Sequence, residues 1–341
     1  MNRSFPRTTQ VACATPAPRP RWHSQTGLTM VELLVALVLS SFIAIAAVSS
    51  LVVARRGFST LDAASQLRDN GRFATELIQR VVAQAGYLDV YDAVNARSGA
   101  AAVTGVVAPP PYTFGANNAL FGNGTAAPEL GATYSAGVNG SDILAIRYQT
   151  PASAPGGTTG DNTTINCAGL SNTTASAKLE DLTVSVFHVM NINGEPTLMC
   201  SSQGTTGTWV ATAQPLMQGV ESFQVLYGVD GVTPNTTTPS TSTPDYVADR
   251  YLRADQIAVS GNADETAKNW RRVRSVRIGM LLRGPANSAQ DAGGGVVYFP
   301  LGENLTATGT TDVGARFTAP ADGRLRQAIN FTVYLRNDQA L

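Results

Sequence analysis

The chain has 341 residues with 24 basic and 24 acidic side chains and a formal net charge of zero, a balance that gives no general attraction to nucleic acid. Its only histidines are His23 and His188 and it has three cysteines, which leaves little material for acid–base or metal chemistry. No Gly-x-Ser-x-Gly, Cys-x-x-Cys, Walker loop or helix-opening Gly-x-Gly-x-x-Gly is present, so no catalytic residue, metal or cofactor is expected.

Residues 1–27 carry Arg3, Arg7, Arg19 and Arg21 and no acid. There follows Thr26-Gly27-Leu28-Thr29-Met30-Val31-Glu32 and then 22 uncharged residues, 33–54, which as a helix reach roughly 33 Å and can cross a bilayer. One carboxylate, Glu32, sits at the start of this apolar run, where an ionised group costs at least about 2.5 kcal/mol and so is expected to have a partner. A secretory signal peptide has a shorter apolar region followed by a small-residue cleavage box. Only Arg55 and Arg56 immediately follow the span, so the positive-inside rule keeps the leader cytoplasmic and sends the remainder across.

The spacing Gly-x-x-x-x-Glu before an unbroken apolar helix resembles the class III signal of type IV prepilins and pseudopilins. That resemblance implies cleavage by prepilin peptidase between Gly27 and Leu28, N-methylation of Leu28, and the family's glutamate at Glu32. Leu28 stands where phenylalanine is more common, Thr26 where a basic residue is, and the leader is long. In the family's filaments this glutamate faces a neighbour's N-terminal amine, here that of Leu28. Pairing offsets the desolvation of both charges, and a mismatch would cost about 3 to 5 kcal/mol, so the pair would gauge register. Before assembly Glu32 can instead snorkel to the headgroups, about 6 Å away along the helix.

Beyond the span, Leu61, Ala64, Leu67, Gly71, Ala74, Ile78, Val81 and Ala85 recur at helical steps, with Arg68, Asp69, Arg72, Glu76 and Arg80 off that stripe. One helix is therefore expected from Leu28 to about Ala85, a rod of roughly 85 Å capped near Gly86. Its halves are residues 28–54, transmembrane, and 55–86, amphipathic, with Gly71 and Ala74 allowing close approach of a sheet. There is no proline between Leu28 and Pro109; since major pilins often carry one inside the apolar helix and many minor pilins do not, the resemblance here leans toward a minor subunit.

Residues 87–341 read as a β-rich head with strands at 142–149, 182–190, 220–227, 273–282 and 329–335, and a shorter one at 296–299. Ile329, Phe331, Val333 and Leu335 alternate with polar neighbours, as in a half-buried antiparallel strand. Residues 100–136, 151–164 and 229–244 read as surface loops, with the Thr/Pro tract 233–244 mobile. Loss of the leader removes Cys13 and leaves Cys167 and Cys200, 33 residues apart, as an expected disulfide in an oxidising compartment; the alternative is two buried thiols. It also leaves 24 − 4 = 20 basic against 24 acidic residues, near −4. Glu180-Asp181 and Asp89 with Asp92 lack EF-hand spacing and read as solvated charges. The cluster Arg271-Arg272-Val273-Arg274-Ser275-Val276-Arg277 reads as solvent-facing or as the beginning of a strand, and His188 as packed or solvent-facing.

Three further segments resemble PilW-type minor pilins: Arg68-Asp69-Asn70-Gly71-Arg72-Phe73-Ala74 with Ala85-Gly86-Tyr87, Gln218 through Gly228, and Arg324-Leu325-Arg326-Gln327 with Val333-Tyr334-Leu335-Arg336-Asn337. The resemblance implies an α+β, pilin-like fold, with a long N-terminal helix packed on an antiparallel-sheet ectodomain. It implies a non-enzymatic subunit, stored in the inner membrane with its head periplasmic, that primes or caps a type IV pilus. Its partners would be prepilin peptidase, the major pilin, other minor pilins and membrane lipid. The alternatives are a J-type pseudopilin of a type II secretion system and an adhesin-like module binding through its loops.

Overall fold

The computed structural model describes residues 27–89, 110–122, 124, 126–177, 181–210, 212–239, 243–289, 293–303 and 312–337. The expected leader, except Gly27, lies outside the described residues, as do Asp92 and Glu180. The chain divides into two compact units, Met1–Arg55 and Arg56–Leu341.

Helix α1 (Met30–Val82) belongs to both units. It starts where Thr29 Oγ1 accepts a hydrogen bond from the Glu32 amide at 3.3 Å, a Ser/Thr-type N-cap, and it contains no proline to interrupt it. It ends ahead of Gly86, whose φ of 71° allows the chain to turn off the helix. In the first unit every described residue is exposed.

In the second unit α1 buries Ala63, Leu67, Gly71, Ala74, Ile78, Val81 and Val82. Leu61, expected on this stripe, is 69% exposed, and the seam begins at Ala63 instead. Spacing defines a stripe's direction along a helix, whereas its beginning depends on where the packed sheet ends. A Cβ on Gly71 would collide with Cδ1 of Ile329, so the glycine permits the close helix-to-sheet approach that its place on the stripe suggests.

The head is an antiparallel ectodomain of two main sheets. The first has the order β1-β2-β3-β4-β5, comprising β1 (Thr113–Ala116), β2 (Ile143–Tyr148), β3 (Thr183–Ile192), β4 (Glu195–Ser202) and β5 (Gln214–Gln218). Before the second sheet's remaining strands come β6 (Val220–Val229) and β7 (Arg250–Leu252), then helices α2 (Ala254–Ile257) and α3 (Ala263–Trp270), then β8 (Val273–Arg283). A two-stranded ribbon follows, β9 (Val297–Tyr298) with β10 (Phe317–Thr318), and last β11 (Arg326–Tyr334). The second sheet has the order β11-β8-β6-β7. Gly219 separates β5 from β6 and so carries the chain from one sheet to the other. Its φ is 82°, and a Cβ there would lie 2.7 Å from the Arg283 carbonyl oxygen, so glycine is required.

Every residue of β6 is buried, and this strand approaches both β3 and β4 of the first sheet. Asp142, just before β2, joins the sheets: its Oδ1 accepts from the Asn118 amide at 2.9 Å and its Oδ2 from the Val225 amide at 2.8 Å.

Two expected loops are more structured than their composition suggests. The tract 100–136 contains β1, with Phe114, Ala119 and Phe121 buried in the core. The Thr/Pro tract, expected to be mobile, is fastened at its start: Asn235 donates to the Asp255 carbonyl, and Asn269 binds both the Thr236 carbonyl and the Thr238 hydroxyl. Asn269 is fully buried, so its amide must find partners, and the tract supplies them.

Candidate functional site

The N-terminal segment has two properties of chemical interest. Gly27, Leu28 and Thr29 precede the helix, and Leu28 is 70% exposed, so the Gly27–Leu28 peptide bond lies in accessible chain outside the helix. Glu32 occupies the third helical position, and Thr29-Met30-Val31-Glu32 has the Ser/Thr-x-x-Glu spacing of a capping box, of which the bond from the Glu32 amide to Thr29 Oγ1 is present. From Leu28 through Val53 the apolar side chains are exposed, and α1 is long and apolar enough to cross a membrane, with none of its apolar window buried in protein.

The end of α1 is tied to the head at three separate points. The Gly86 amide donates to the Arg147 carbonyl at 3.0 Å, which carries the chain alongside β2. Gln84 clamps Ile165, its Nε2 donating to the carbonyl at 2.9 Å and its Oε1 accepting from the amide at 2.8 Å. Asn337 Nδ2 donates to the Ala83 carbonyl at 3.0 Å, which brings the C-terminal ending to the stem.

Ile165 lies two residues from Cys167, which is joined by a disulfide to Cys200 of β4 with a Cα–Cα distance of 5.6 Å. Both cysteines are buried. His188 on β3 is packed, not solvent-facing: it is fully buried, its Nε2 lies 2.9 Å from the Ser201 hydroxyl, and its ring meets Phe121 edge-on. Burial pushes its imidazole down to about 3, so the ring is neutral at ordinary pH. Burial likewise pushes the Asp142 carboxyl up to about 8, against the Val225 and Asn118 amides that favour its charged form.

Six charged side chains form one network at the edge where the two sheets meet. Arg326 donates to Glu221 at 2.6 and 2.9 Å and to Asp322 at 2.8 and 2.6 Å. Arg283 donates to Glu195 at 3.2 and 2.7 Å and to Glu221 at 3.3 Å, and Arg324 reaches Glu195 at 3.1 Å. Three arginines balance three carboxylates. Burial alone would lower Arg326, but its bonds to Asp322 and Glu221 outweigh that and hold it above its ordinary value. The Arg283 and Arg326 guanidiniums hold Glu195 and Asp322, respectively, below the usual carboxylate range. Glu221 lies in the segment from Gln218 to Gly228 and Arg324 and Arg326 in the C-terminal segment, so two stretches that are distant in sequence meet here.

The basic run at 271–277 begins β8, and its arginines turn to protein partners. Arg274, 6% exposed and so not solvent-facing, lies 3.5 Å from Asp230 and under the Tyr246 ring. Arg272 donates to the Asp230 carbonyl and Arg277 to that of Leu301. Asp89 accepts from the Ala152 amide, 63 residues away, and Asp181 from the nearby Ala177 amide, so both have structural partners. A surface cleft beside β1 and α2 is lined by Asn117, Tyr134, Arg253, Asp255 and Asp312. There Arg253 is engaged by Asp255 at 3.0 and 2.9 Å, and burial raises Asp312. Among the described residues no group of three or more His, Cys, Asp or Glu is placed to hold a metal ion.

Comparison with known proteins places these features. Residues 186–337 match the family described as Type IV Pilus-assembly protein W, and residues 22–48 match the prokaryotic N-terminal methylation motif. A type IV-like pilin from Thermus thermophilus aligns over 80% of this chain and 97% of its own, at 14% identity and a TM-score of 0.36. No curated protein matches the chain. The methylation motif encloses Gly27, Leu28 and Glu32, and the matched domain runs from β3 to the C-terminal ending and so includes the whole second sheet. One chain thus joins a prokaryotic N-terminal methylation motif at residues 22–48 to a PilW domain at residues 186–337.

Proposed function

We propose that this chain is a minor pilin that primes or caps assembly of a type IV pilus and does no chemistry itself. In this reading residues 1–27 are a cytoplasmic leader, and prepilin peptidase cuts between Gly27 and Leu28 and methylates the new N-terminus. Residues 28–54 hold the subunit in the inner membrane, with the head of residues 87–341 in the periplasm. Glu32 then meets the methylated amine of Leu28 on a neighbouring pilin when the stems bundle, and the remaining partners are the major pilin and other minor pilins.

The observation that carries the reading is the match to the methylation motif at residues 22–48, with its Gly27–Leu28 bond in accessible chain directly ahead of an exposed apolar helix. An exposed apolar surface of this extent needs lipid or other stems to cover it, and the two stages of storage and assembly supply one after the other. Intact mass spectrometry of the protein from membrane and sheared-pilus fractions, with and without active prepilin peptidase, tests it. The expected species in pili begins at N-methyl-Leu28. An uncut chain confined to the membrane refutes the proposal.

A further inference from the structure

Strand β11 is the outer strand of the second sheet and pairs along its length with β8, without a register shift from Arg326↔Arg283 to Tyr334↔Ser275. The Leu335 amide donates to the Arg274 carbonyl and the Gly284 amide to the Leu325 carbonyl. In an antiparallel pair the bonded residues alternate, so the odd-numbered residues of β11 spend their backbone groups on β8. The backbone groups of Arg326, Ala328, Asn330, Thr332 and Tyr334 therefore point away from the sheet. Among the described residues no backbone partner is found for them.

Protein sheets protect such edges by shortness, charge, proline or a bulge. The other main edges here are protected: β1 has four residues, β7 has three, and β5 contains Pro215 and faces a register shift at Leu198/Met199. By contrast β11 has nine residues, or about 30 Å of strand, and Gln327 through Leu335 contain no charge, proline or glycine. The side chains beside the open backbone are small, polar or aromatic, and Tyr334 is 66% exposed.

We propose that β11 is a docking edge, extended by an added strand from a different pilin subunit. This rests on the minor-pilin reading and names the surface through which it would act. The added segment is uncharged over about five residues, because nothing along β11 would neutralise a charge, and it carries an acid at the end that meets the exposed Arg336. A second copy of this chain fits less well. The two-fold antiparallel register that uses the whole edge, centred on Asn330, sets Arg336 of one copy opposite Arg324 of the other, like charges in a facing pair.

The test has two arms. Amide exchange on the detergent-solubilised full chain should show the Ala328, Asn330, Thr332 and Tyr334 amides exchanging at least about 100-fold faster than those of Gln327, Ile329, Phe331 and Val333. Uniform protection would mean the edge is already covered and would overturn the proposal. Photocrosslinking from benzoylphenylalanine at Asn330, read in whole cells, should join this chain to an uncharged segment of another subunit that bears a methylation motif. Asn330→Lys with Thr332→Lys should lower recovery of that subunit with the chain by about tenfold or more, with disulfide formation unchanged. A crosslink to a second copy or to lipid, no crosslink, or undiminished recovery overturns the proposal. The state of Leu28 separates the two readings: methylation with no crosslink sinks the docking edge alone, whereas a crosslink to a partner strand without methylation sinks the minor-pilin reading and leaves the edge standing.

Discussion

Replacing Arg326 by glutamine should destabilise the head more than any other single change in the ionic network. The Arg326 and Glu221 side chains are each 2% exposed, and Arg326 supplies two of the three charge-assisted bonds to Glu221. Among the described residues its loss leaves the buried carboxylate held only by Arg283 at 3.3 Å and leaves Asp322 without its bidentate partner. Breaking a buried pair on one side costs about 3 to 5 kcal/mol. Glu221→Gln should cost less, about 1 to 3 kcal/mol, because Arg326 keeps both bonds to Asp322 and Arg283 keeps Glu195. The double variant removes both charges, so its cost should fall short of the sum by roughly 1 to 3 kcal/mol. Urea unfolding of the detergent-solubilised chain, followed by the fluorescence of Trp270 where it packs on Tyr227, measures all three. Strict additivity, or a cost for Arg326→Gln below about 1 kcal/mol, would show that the network is solvated in solution and the reasoning wrong.

Three other perturbations have defined outcomes. Replacing Cys167 and Cys200 together by alanine opens a loop closed over 33 residues and should lower stability by about 3 to 4 kcal/mol, measured by the same unfolding, while free thiols in the exported wild-type protein would refute the pairing. The pH profile should carry two opposed slopes. His188, lowered to about 3, loses stability as pH falls below about 6.5, whereas Asp142, raised to about 8, loses it as pH rises from about 4 to 8, each by at most about 1.4 kcal/mol per unit. The two cancel between about pH 4 and 6.5, so His188→Gln should make stability decline with pH there and Asp142→Asn should make it rise; two parallel profiles would contradict the assignment. Glu32→Ala should leave membrane insertion intact and weaken pilus assembly, and normal piliation in that variant would remove the register argument.

How much of this was legible in the sequence follows from how far apart the interacting residues lie. The apolar run, the helical stripe and the alternating strands are patterns within one segment; β6 and β8 contain the stretches their spacing suggested, and β2, β3 and β11 overlap theirs to within a residue at the shared ends. Strand β4 was missed because Glu195-Pro196 opens it and its apolar residues do not alternate. Helix α3 was missed although Asn262, three residues before Glu265, caps it through its side chain, a readable signal. The ion network was not legible, because Glu221 and Arg326 are 105 residues apart and nothing local pairs them. A clue was nonetheless present: Glu221 is the one charge in the otherwise uncharged run Val220–Val229, the same anomaly that drew attention to Glu32 in the apolar helix.

That parallel bears on how the head is held to its stem. Apolar burial along α1 is non-directional and would tolerate sliding by a turn, since Leu67, Ala74, Ile78 and Val81 offer similar surfaces. Polar bonds do not tolerate it, because a shifted register leaves buried groups unpaired. The Gln84–Ile165 clamp and the Gly86–Arg147 bond fix the helix end against the first sheet, and the Asn337–Ala83 bond fixes it to the ending of β11 in the second. The disulfide limits how far the clamped loop can move from β4, and the Arg326–Glu221–Arg283–Glu195 chain joins β4 back to β6, β8 and β11. A pull on the stem is thereby divided between both sheets, each linked to the other by bonds that cannot slip in register. Within the second unit such a joint keeps the β11 edge in fixed relation to residues 56–82 of α1.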